Sequence, residues 1–249
     1  LEPHSAVAAW DQSRDGFTLW SSTQVPHYLH HQLSRVTGLP MARIRVVKPY
    51  IGGGFGGKAE ATAMDFCAVE LARRTGRPVK ITFSREEMFC HHRGRHKQFM
   101  DMKIGVTKEG RITAVDFANV LDGGAYTSFG VITVYYAGSM LPTLYKLPNY
   151  RYAGKRVYTT KPPCGAMRGH GVPQPRFAFE SLLDMLAEKI GMDPVDLRLA
   201  NAMEPNTRTV NDLDVLSCEF KATLETVRKR SGWDSKHAKL PYGRGVGIG

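Results

Sequence analysis

Five glycines within six residues constrain this chain more than any other feature. They lie in Gly52-Gly53-Gly54-Phe55-Gly56-Gly57, which Lys58 follows. Glycine lets the backbone turn sharply and approach a ligand closely, so such a loop is typical of an anion site. Residues 43–51 before it alternate polar and apolar as in a strand, and residues 59–74 after it show helical spacing. The pattern predicts a strand-to-helix turn, where the helix N-terminus favours an anion.

The same letters fit nucleotide-binding patterns incompletely. The loop matches a Walker A sequence as far as Ala59, which offers no hydroxyl to a magnesium ion. It also contains a dinucleotide-binding pattern, but the next predicted strand, residues 79–83, ends in Ser84-Arg85 instead of an acidic residue. A nucleotide-binding module with a degenerate Walker A loop and a purely structural glycine loop both stay open as alternatives.

Three motifs follow one another along the chain: Ser22-Thr23-Gln24, Gly53-Gly54-Phe55-Gly56-Gly57-Lys58 and Ala166-Met167-Arg168-Gly169-His170-Gly171-Val172-Pro173-Gln174. Taken together and in this order, they resemble the molybdenum-cofactor subunit of the xanthine dehydrogenase and aldehyde oxidase family. Residues 1–4, 85–89, 93–96 and 191–194 also resemble that family, so the resemblance covers nearly the whole chain. The family's subunit is considerably longer, which implies that this sequence is a fragment and that the catalytic glutamate lies beyond Gly249.

The resemblance implies a molybdenum–molybdopterin cofactor in its cytosine dinucleotide form. The pterin's sulfurs hold the metal in that family, so no protein side chain is expected to ligate it. The amide of Gln24 is expected to hydrogen-bond a molybdenum oxygen ligand, although Gln24 and Arg168 could also be surface side chains at chain turns. The cofactor-binding residues implied are Gln24, Gly53, Gly54, Phe55, Gly56, Arg168 and Gly169.

The expected substrate is inferred from three positions at which this chain differs from the purine-oxidising members of the family. Those relatives have a glutamate after the loop lysine, an arginine in the helix before the last motif and a phenylalanine in that motif; this chain has Ala59, Tyr136 and His170. We therefore expect discrimination against xanthine, with Tyr136 and His170 facing the substrate. The pattern most resembles the 4-hydroxybenzoyl-CoA reductase branch, which acts on an aromatic acyl-CoA. An aldehyde- or N-heterocycle-oxidising member is the alternative.

The composition indicates which binding partners and which cellular compartment to expect. Four cysteines stand far apart with no Cys-x-x-Cys pair, which predicts free, buried thiols and a cytoplasmic protein. The resemblance then implies electron transfer to iron–sulfur clusters and FAD on partner subunits, hence a hetero-oligomer, and an isolated fragment without turnover. Despite a net charge of +11, the basic cluster 91–97 lacks interleaved aromatics and predicts no nucleic-acid binding. It is either a solvated loop or an anion contact.

Periodicity predicts an α+β fold of mixed sheets with flanking helices and no membrane span. Residues 1–205 are assigned to a first, N-terminally incomplete molybdopterin-binding domain and residues 206–249 to the start of a second. A helix after residue 174 is expected to bury Phe177, Leu183 and Leu186 and to end at Gly191. Other predicted elements are strands at 6–9, 17–21 and 155–159, helices at 26–37 and 135–144, and a hairpin at 101–121.

Overall fold

The computed structural model describes residues 2–236, so Leu1 and residues 237–249 of the predicted second domain lie outside the described residues. Helices alternate irregularly with parallel and antiparallel strands, which confirms the α+β class. The helices are α1 (Pro26–Thr37), α2 (Ala63–Thr75), α3 (Arg85–His91), α4 (Gly130–Ser139), α5 (Pro173–Ile190), α6 (Pro194–Asn201), α7 (Phe220–Ser231) and α8 (Trp233–Lys236). The strands are β1 (Ser5–Asp11), β2 (Gly16–Ser21), β3 (Ile44–Val47), β4 (Val79–Thr82), β5 (Lys97–Val106), β6 (Ile112–Asp122), β7 (Tyr150–Val157), β8 (Thr207–Arg208) and β9 (Asp214–Val215).

The described chain forms two compact units, and the first comprises residues 2–97, Asp122–Thr133 and Val157–His170. Its sheet has the order β3-β2-β1-β4, with β1 antiparallel to β2 and β4 and with β2 parallel to β3. Helices α1 and α2 pack on this sheet. Leu29 and Leu33, four residues apart on α1, are fully buried in its core with Leu19 of β2.

The second unit comprises Gln98–Leu121, Val134–Arg156 and the described residues from 171 onward. Its main sheet has the order β5-β6-β7, and its core includes Phe117, Tyr145 and Phe179. Arg198 of α6 is nearly buried and donates to Glu180 and Asp184 of α5, at 2.9 and 2.7 Å. This network fastens α6 to α5, because a buried guanidinium needs its acceptors.

Several predicted elements match the structure closely because local chemistry fixes their ends. Helix α1 ends before Gly38 and α5 before Gly191, and both glycines are left-handed, with φ of 72° and 70°. The predicted hairpin is formed by β5 and β6, with a turn closed by the hydrogen bond from Thr107 N to Arg111 O. These predictions are confirmed.

Three predicted boundaries are wrong, each for an identifiable reason. Helix α2 begins at Ala63, not residue 59, because Thr62 and Asp65 form a capping box. Helix α4 occupies Gly130–Ser139 and not 135–144, because Pro142 has no backbone N–H to continue the helical hydrogen bonds, and Leu141–Thr143 form a short 3-10 turn instead. Strand β7 begins at Tyr150, not residue 155, because Tyr150 and Tyr152 alternate towards the core of the second unit.

The predicted inward face of α5 is partly wrong. Leu183 is buried and Leu186 packs against the core, but the side chain of Phe177 is 76% exposed. The buried positions are instead Pro175, Phe179, Leu183 and Ala187, spaced four residues apart. A regular i, i+4 row fits one helical face, and Phe177 lies off that row.

Candidate functional site

Gln24 and the glycine loop are joined directly within the first unit. The side-chain oxygen of Gln24 accepts hydrogen bonds from the backbone N–H groups of Gly56 and Lys58, at 2.9 and 3.2 Å. Its own backbone N–H donates to Lys58 O at 2.8 Å. Since both donors require the oxygen, the orientation of the amide is fixed and its NH2 group is left available as a donor. Gln24 is exposed, so this NH2 is accessible to a ligand.

The third motif, residues 166–174, lies against the glycine loop, backbone to backbone. Arg168 N donates to Phe55 O at 3.0 Å. A Cβ placed on Gly56 would lie 2.7 Å from the backbone carbonyl of Ala166, which is closer than real Cβ atoms come to such atoms. Gly56 also has a φ of 97° and Phe55 one of 49°. Glycine at position 56 therefore permits the contact between the two loops, and the left-handed backbone at Phe55 is strained.

The exposed face of these loops is rich in hydrogen-bond donors. The Phe55 ring is 45% exposed, and the guanidinium carbon of Arg168 lies 5.9 Å from its centroid. In the part of the chain that the structure describes, the backbone N–H groups of Gly53, Gly54 and Phe55 have no acceptor. Successive free N–H groups beside a guanidinium form a surface for an oxygen-rich, anionic group. The arrangement fits a phosphate-bearing pterin with oxygen ligands on its metal.

The first residues of the chain hold both ends of the glycine loop. Glu2 accepts hydrogen bonds from Gly52 N and from the ammonium of Lys58, the latter at 3.0 Å, and His4 Nε2 lies 3.0 Å from Gly57 O. These donors hold the pKa of Glu2 below its usual value, the bond from Lys58 contributing most. Sequence inspection marked Glu2 and His4 only as a familiar motif and did not assign them this role.

The prediction that the N-terminus of helix α2 contributes to an anion site at the glycine loop is wrong. The Lys58 side chain is only 2% exposed and pairs with Glu2, whereas a Walker A lysine must reach phosphates. Helix α2 starts six residues after Gly57, and the side chains of Thr62 and Asp65 form a capping box there, accepting from Asp65 N and Thr62 N. The degenerate Walker A alternative is therefore not supported by the structure.

Asp122 holds in place the chain segment that precedes the third motif, residues 166–174. Its carboxylate accepts from Gly124 N at 3.2 Å, from the Thr159 hydroxyl at 2.7 Å and from the Lys161 ammonium at 2.6 Å. These bonds, led by that from Lys161, lower its pKa from 3.8 to about 2. Asp122 was missed in the sequence, because nothing in Asp122-Gly123-Gly124 reveals partners some 37 positions away.

The two residues predicted to face a substrate lie in different units. His170, in the first unit, has a φ of 32° and its ring meets the edge of Phe129, with centroids 6.3 Å apart. Burial lowers the pKa of its imidazole. Tyr136, in the second unit, is half-buried beside Tyr135. A shared substrate role for Tyr136 and His170 stays a prediction.

The cysteines and the basic cluster differ partly from expectation. All four cysteines are free, as predicted, but Cys67 and Cys90 are exposed rather than buried. The cluster 91–97 is not a solvated loop, because His96 is 3% exposed and Arg95 donates to Arg168 O. Within residues 2–236, no group of three or more His, Cys, Asp or Glu side chains could hold a metal ion. No helix in that range is long and apolar enough to cross a membrane.

The face of backbone and guanidinium donors on two apposed loops is suited to an anionic organic cofactor. The model of the molybdopterin cofactor-binding domain matches residues 1–202, and the chain belongs to this family. It is 39% identical over 233 residues to the nicotinate dehydrogenase large molybdopterin subunit of Eubacterium barkeri, covering 93% of this chain and 54% of that protein. It is 35% identical over 246 residues to the xanthine dehydrogenase molybdenum-binding subunit of Escherichia coli O157:H7, covering 96% of this chain and 33% of that protein.

A solved structure shows the same fold. The aldehyde oxidoreductase of Desulfovibrio gigas superposes with a TM-score of 0.88 at 26% identity, covering 96% of this chain and 26% of that one. The chain thus spans about a third of the xanthine dehydrogenase subunit and about a quarter of the solved chain. These likenesses confirm the family and the fold class predicted from the sequence.

Proposed function

We propose that this chain forms one wall of the molybdenum-cofactor site in an oxidoreductase of the molybdenum hydroxylase type. The observation that supports the proposal most strongly is the direct bonding of Gln24, Gly56 and Phe55–Arg168 into one donor-rich face. When bound, the cofactor would supply two-electron redox chemistry. The proposed cofactor-binding residues are Gln24, Gly53, Gly54, Phe55, Gly56, Arg168 and Gly169.

Each group has a distinct task in this proposal. The NH2 of Gln24, fixed by the two backbone donors on its oxygen, donates to an oxygen ligand of the metal. The free N–H groups of the glycine loop and the Arg168 guanidinium hold anionic oxygens of the cofactor. The ion pair between buried Lys58 and half-buried Glu2 keeps the loop from relaxing when the cofactor is absent. A site fixed beforehand binds without the cost of ordering the loop.

The partners and the cofactor's exact form belong to the same proposal. No Cys-x-x-Cys pair occurs in the chain, so we assign the iron–sulfur clusters and FAD to partner subunits of a cytoplasmic hetero-oligomer. We retain the cytosine dinucleotide form and the domain boundary near residue 205 as predictions.

Two substrate classes are carried forward. An aromatic acyl-CoA is supported by the resemblance of Ala166-Met167-Arg168-Gly169-His170-Gly171 to the 4-hydroxybenzoyl-CoA reductase branch, and by the surplus positive charge that suits phosphates. An N-heterocycle is supported by the nicotinate dehydrogenase relative. The same alternative includes an aldehyde-oxidising member of the family, which is supported by the likeness to a solved structure named as an aldehyde oxidoreductase.

The experiment is to purify the complete subunit with its partners from its own host. We expect near-stoichiometric molybdenum by mass spectrometry and released pterin by fluorescence; an intact subunit with tightly bound ATP and no molybdenum would contradict the proposal. The loaded enzyme is then assayed with xanthine, benzaldehyde, nicotinate and 4-hydroxybenzoyl-CoA. Reduction of the thioester supports the acyl-CoA class, whereas turnover of nicotinate without thioester reduction assigns the N-heterocycle class.

A further inference from the structure

A cavity of about 470 Å³ lies within the second unit, lined by side chains of α5, α6 and α7. This volume is in the range of small-molecule sites. Its walls are mainly apolar, and the Phe177 side chain, which is 76% exposed, lines one side. An apolar group placed there would be removed from water. The apolar residues that line the cavity are Leu144, Tyr145, Phe177, Phe220, Leu224 and Val227.

A guanidinium at this cavity lacks an acceptor for one of its nitrogens. Arg176 Nη2 donates to the backbone oxygens of Met140 and Leu141, at 3.2 and 3.1 Å. Its Nη1 atom is buried and lies 3.7 Å from the Glu180 carboxylate, beyond hydrogen-bond distance. In the part of the chain that the structure describes, Nη1 therefore has no acceptor. Because this atom is buried, bulk water does not supply the missing bond.

The carboxylates beside the cavity are bonded to other donors. Glu180 accepts from the Tyr145 hydroxyl at 3.0 Å and from Arg198 Nε at 2.9 Å. Asp184 accepts from Arg198 Nη1 at 2.7 Å, and its side chain is 62% exposed. Arg198 thus uses both carboxylates, which leaves the charge of Arg176 incompletely compensated. Burial accordingly lowers the pKa of Arg176.

The chemistry of the cavity specifies the ligand that would complete it. A carboxylate suits the unpaired Nη1 of Arg176, because a charge-assisted hydrogen bond is about twice as strong as a neutral one. The apolar walls favour a ligand whose remaining atoms are apolar. A doubly charged ligand would bring its extra charge close to Glu180 and Asp184, which disfavours it. An uncharged hydrocarbon would leave Nη1 without an acceptor.

We propose that the cavity between α5 and α7 binds a monocarboxylate with an apolar body, whose carboxylate accepts from Arg176 Nη1. The Ser181 hydroxyl, which lines the same cavity, supplies a second donor. This site goes beyond the proposed function and does not depend on it, because none of its residues is assigned to the cofactor.

The test is calorimetric titration of the complete subunit with three ligands. Octanoate is the probe, octanamide keeps its chain but is neutral, and butanoate keeps its carboxylate but has a shorter chain. We expect octanoate to bind at one site per subunit and at least tenfold more tightly than either of the others. Arg176→Met should weaken octanoate about tenfold and leave octanamide unchanged. A merely structural effect of the substitution would weaken both ligands alike.

A second variant blocks the cavity without changing Arg176. Thr223 of α7 lines the cavity and is exposed, so Thr223→Trp should fill part of the space and weaken octanoate at least tenfold. Thr226→Trp is the matched control. Thr226 is also exposed on α7 but is not a lining residue, and both hydroxyls donate to the backbone oxygen four residues earlier. We expect this control to bind octanoate like wild type.

Three results would each overturn the carboxylate site: no saturable binding of octanoate, equal affinity for octanoate and octanamide, or wild-type affinity in Thr223→Trp. Should Arg176→Met fail to fold by circular dichroism, because two backbone oxygens lose their donor, the comparison of ligands and Thr223→Trp decide the matter. The titration does not depend on molybdenum content, so its failure leaves the proposed function standing, and loss of the proposed function leaves this site testable.

Discussion

Gln24 shows how one side chain can combine a structural and a functional task. Its side-chain oxygen accepts hydrogen bonds from Gly56 N and Lys58 N, and these two bonds direct the NH2 group towards the exposed side of the loop. The sequence could indicate that an amide follows Ser22-Thr23, but it left open whether that amide was exposed at a cap or directed into a site. Partners more than 30 positions away decide the matter, and no local pattern encodes them.

The two tasks can be separated by substitution. Gln24→Glu keeps an acceptor for both N–H groups but replaces the NH2 donor with a negative charge. We expect a wild-type melting temperature and a loss of at least tenfold in kcat/KM or in molybdenum content, because the carboxylate repels an oxygen ligand. Gln24→Leu should in addition lower the free energy of unfolding by about 1 kcal/mol, since two donors lose their acceptor. Wild-type molybdenum content and turnover in Gln24→Glu would show that Gln24 only stabilises the loop.

At the scale of elements, local signals located the helices better than the loops between them. Proline at the first turn and glycine at the end predicted α1. A local signal of the same kind stands at the start of α6, where Asp193 before Pro194 caps two N–H groups. Helix α4 was misplaced, since its apolar residues give no clear period. The loop after β7 could not be predicted, because Asp122 at the end of β6 holds it through Thr159 and Lys161.

Removing the charge of Asp122 should weaken this loop in a pH-dependent manner. Its pKa is about 2 in the folded protein and 3.8 otherwise, so its stabilisation is complete above about pH 4 and is lost as pH falls towards 2. We expect Asp122→Asn to melt below wild type at pH 7, with the difference shrinking between pH 4 and pH 2. Asp101→Asn, at an exposed position of β5, is the control and should leave the melting temperature unchanged. A difference that stays constant with pH would refute the role of the carboxylate.

At the scale of the whole molecule, the family could be predicted from the sequence but the pairing of distant charged residues could not. Three ordered motifs sufficed because each places backbone or amide groups on the proposed cofactor face of the first unit. The Glu60–Arg93 pair joins residues 33 positions apart across a loop and the end of a helix, so its spacing follows no helical or strand period.

The central claim is that Gln24, the glycine loop and Arg168 form a molybdenum-cofactor site, and the position of the metal tests it most directly. A crystal of the complete, loaded subunit, measured on both sides of the molybdenum absorption edge, gives that position without any assumption about activity. We expect one anomalous peak whose oxygen ligand lies about 3 Å from the NH2 of Gln24, on the face formed by Phe55 and Arg168. A molybdenum peak remote from these residues, with their donors facing only solvent or protein, would contradict the account.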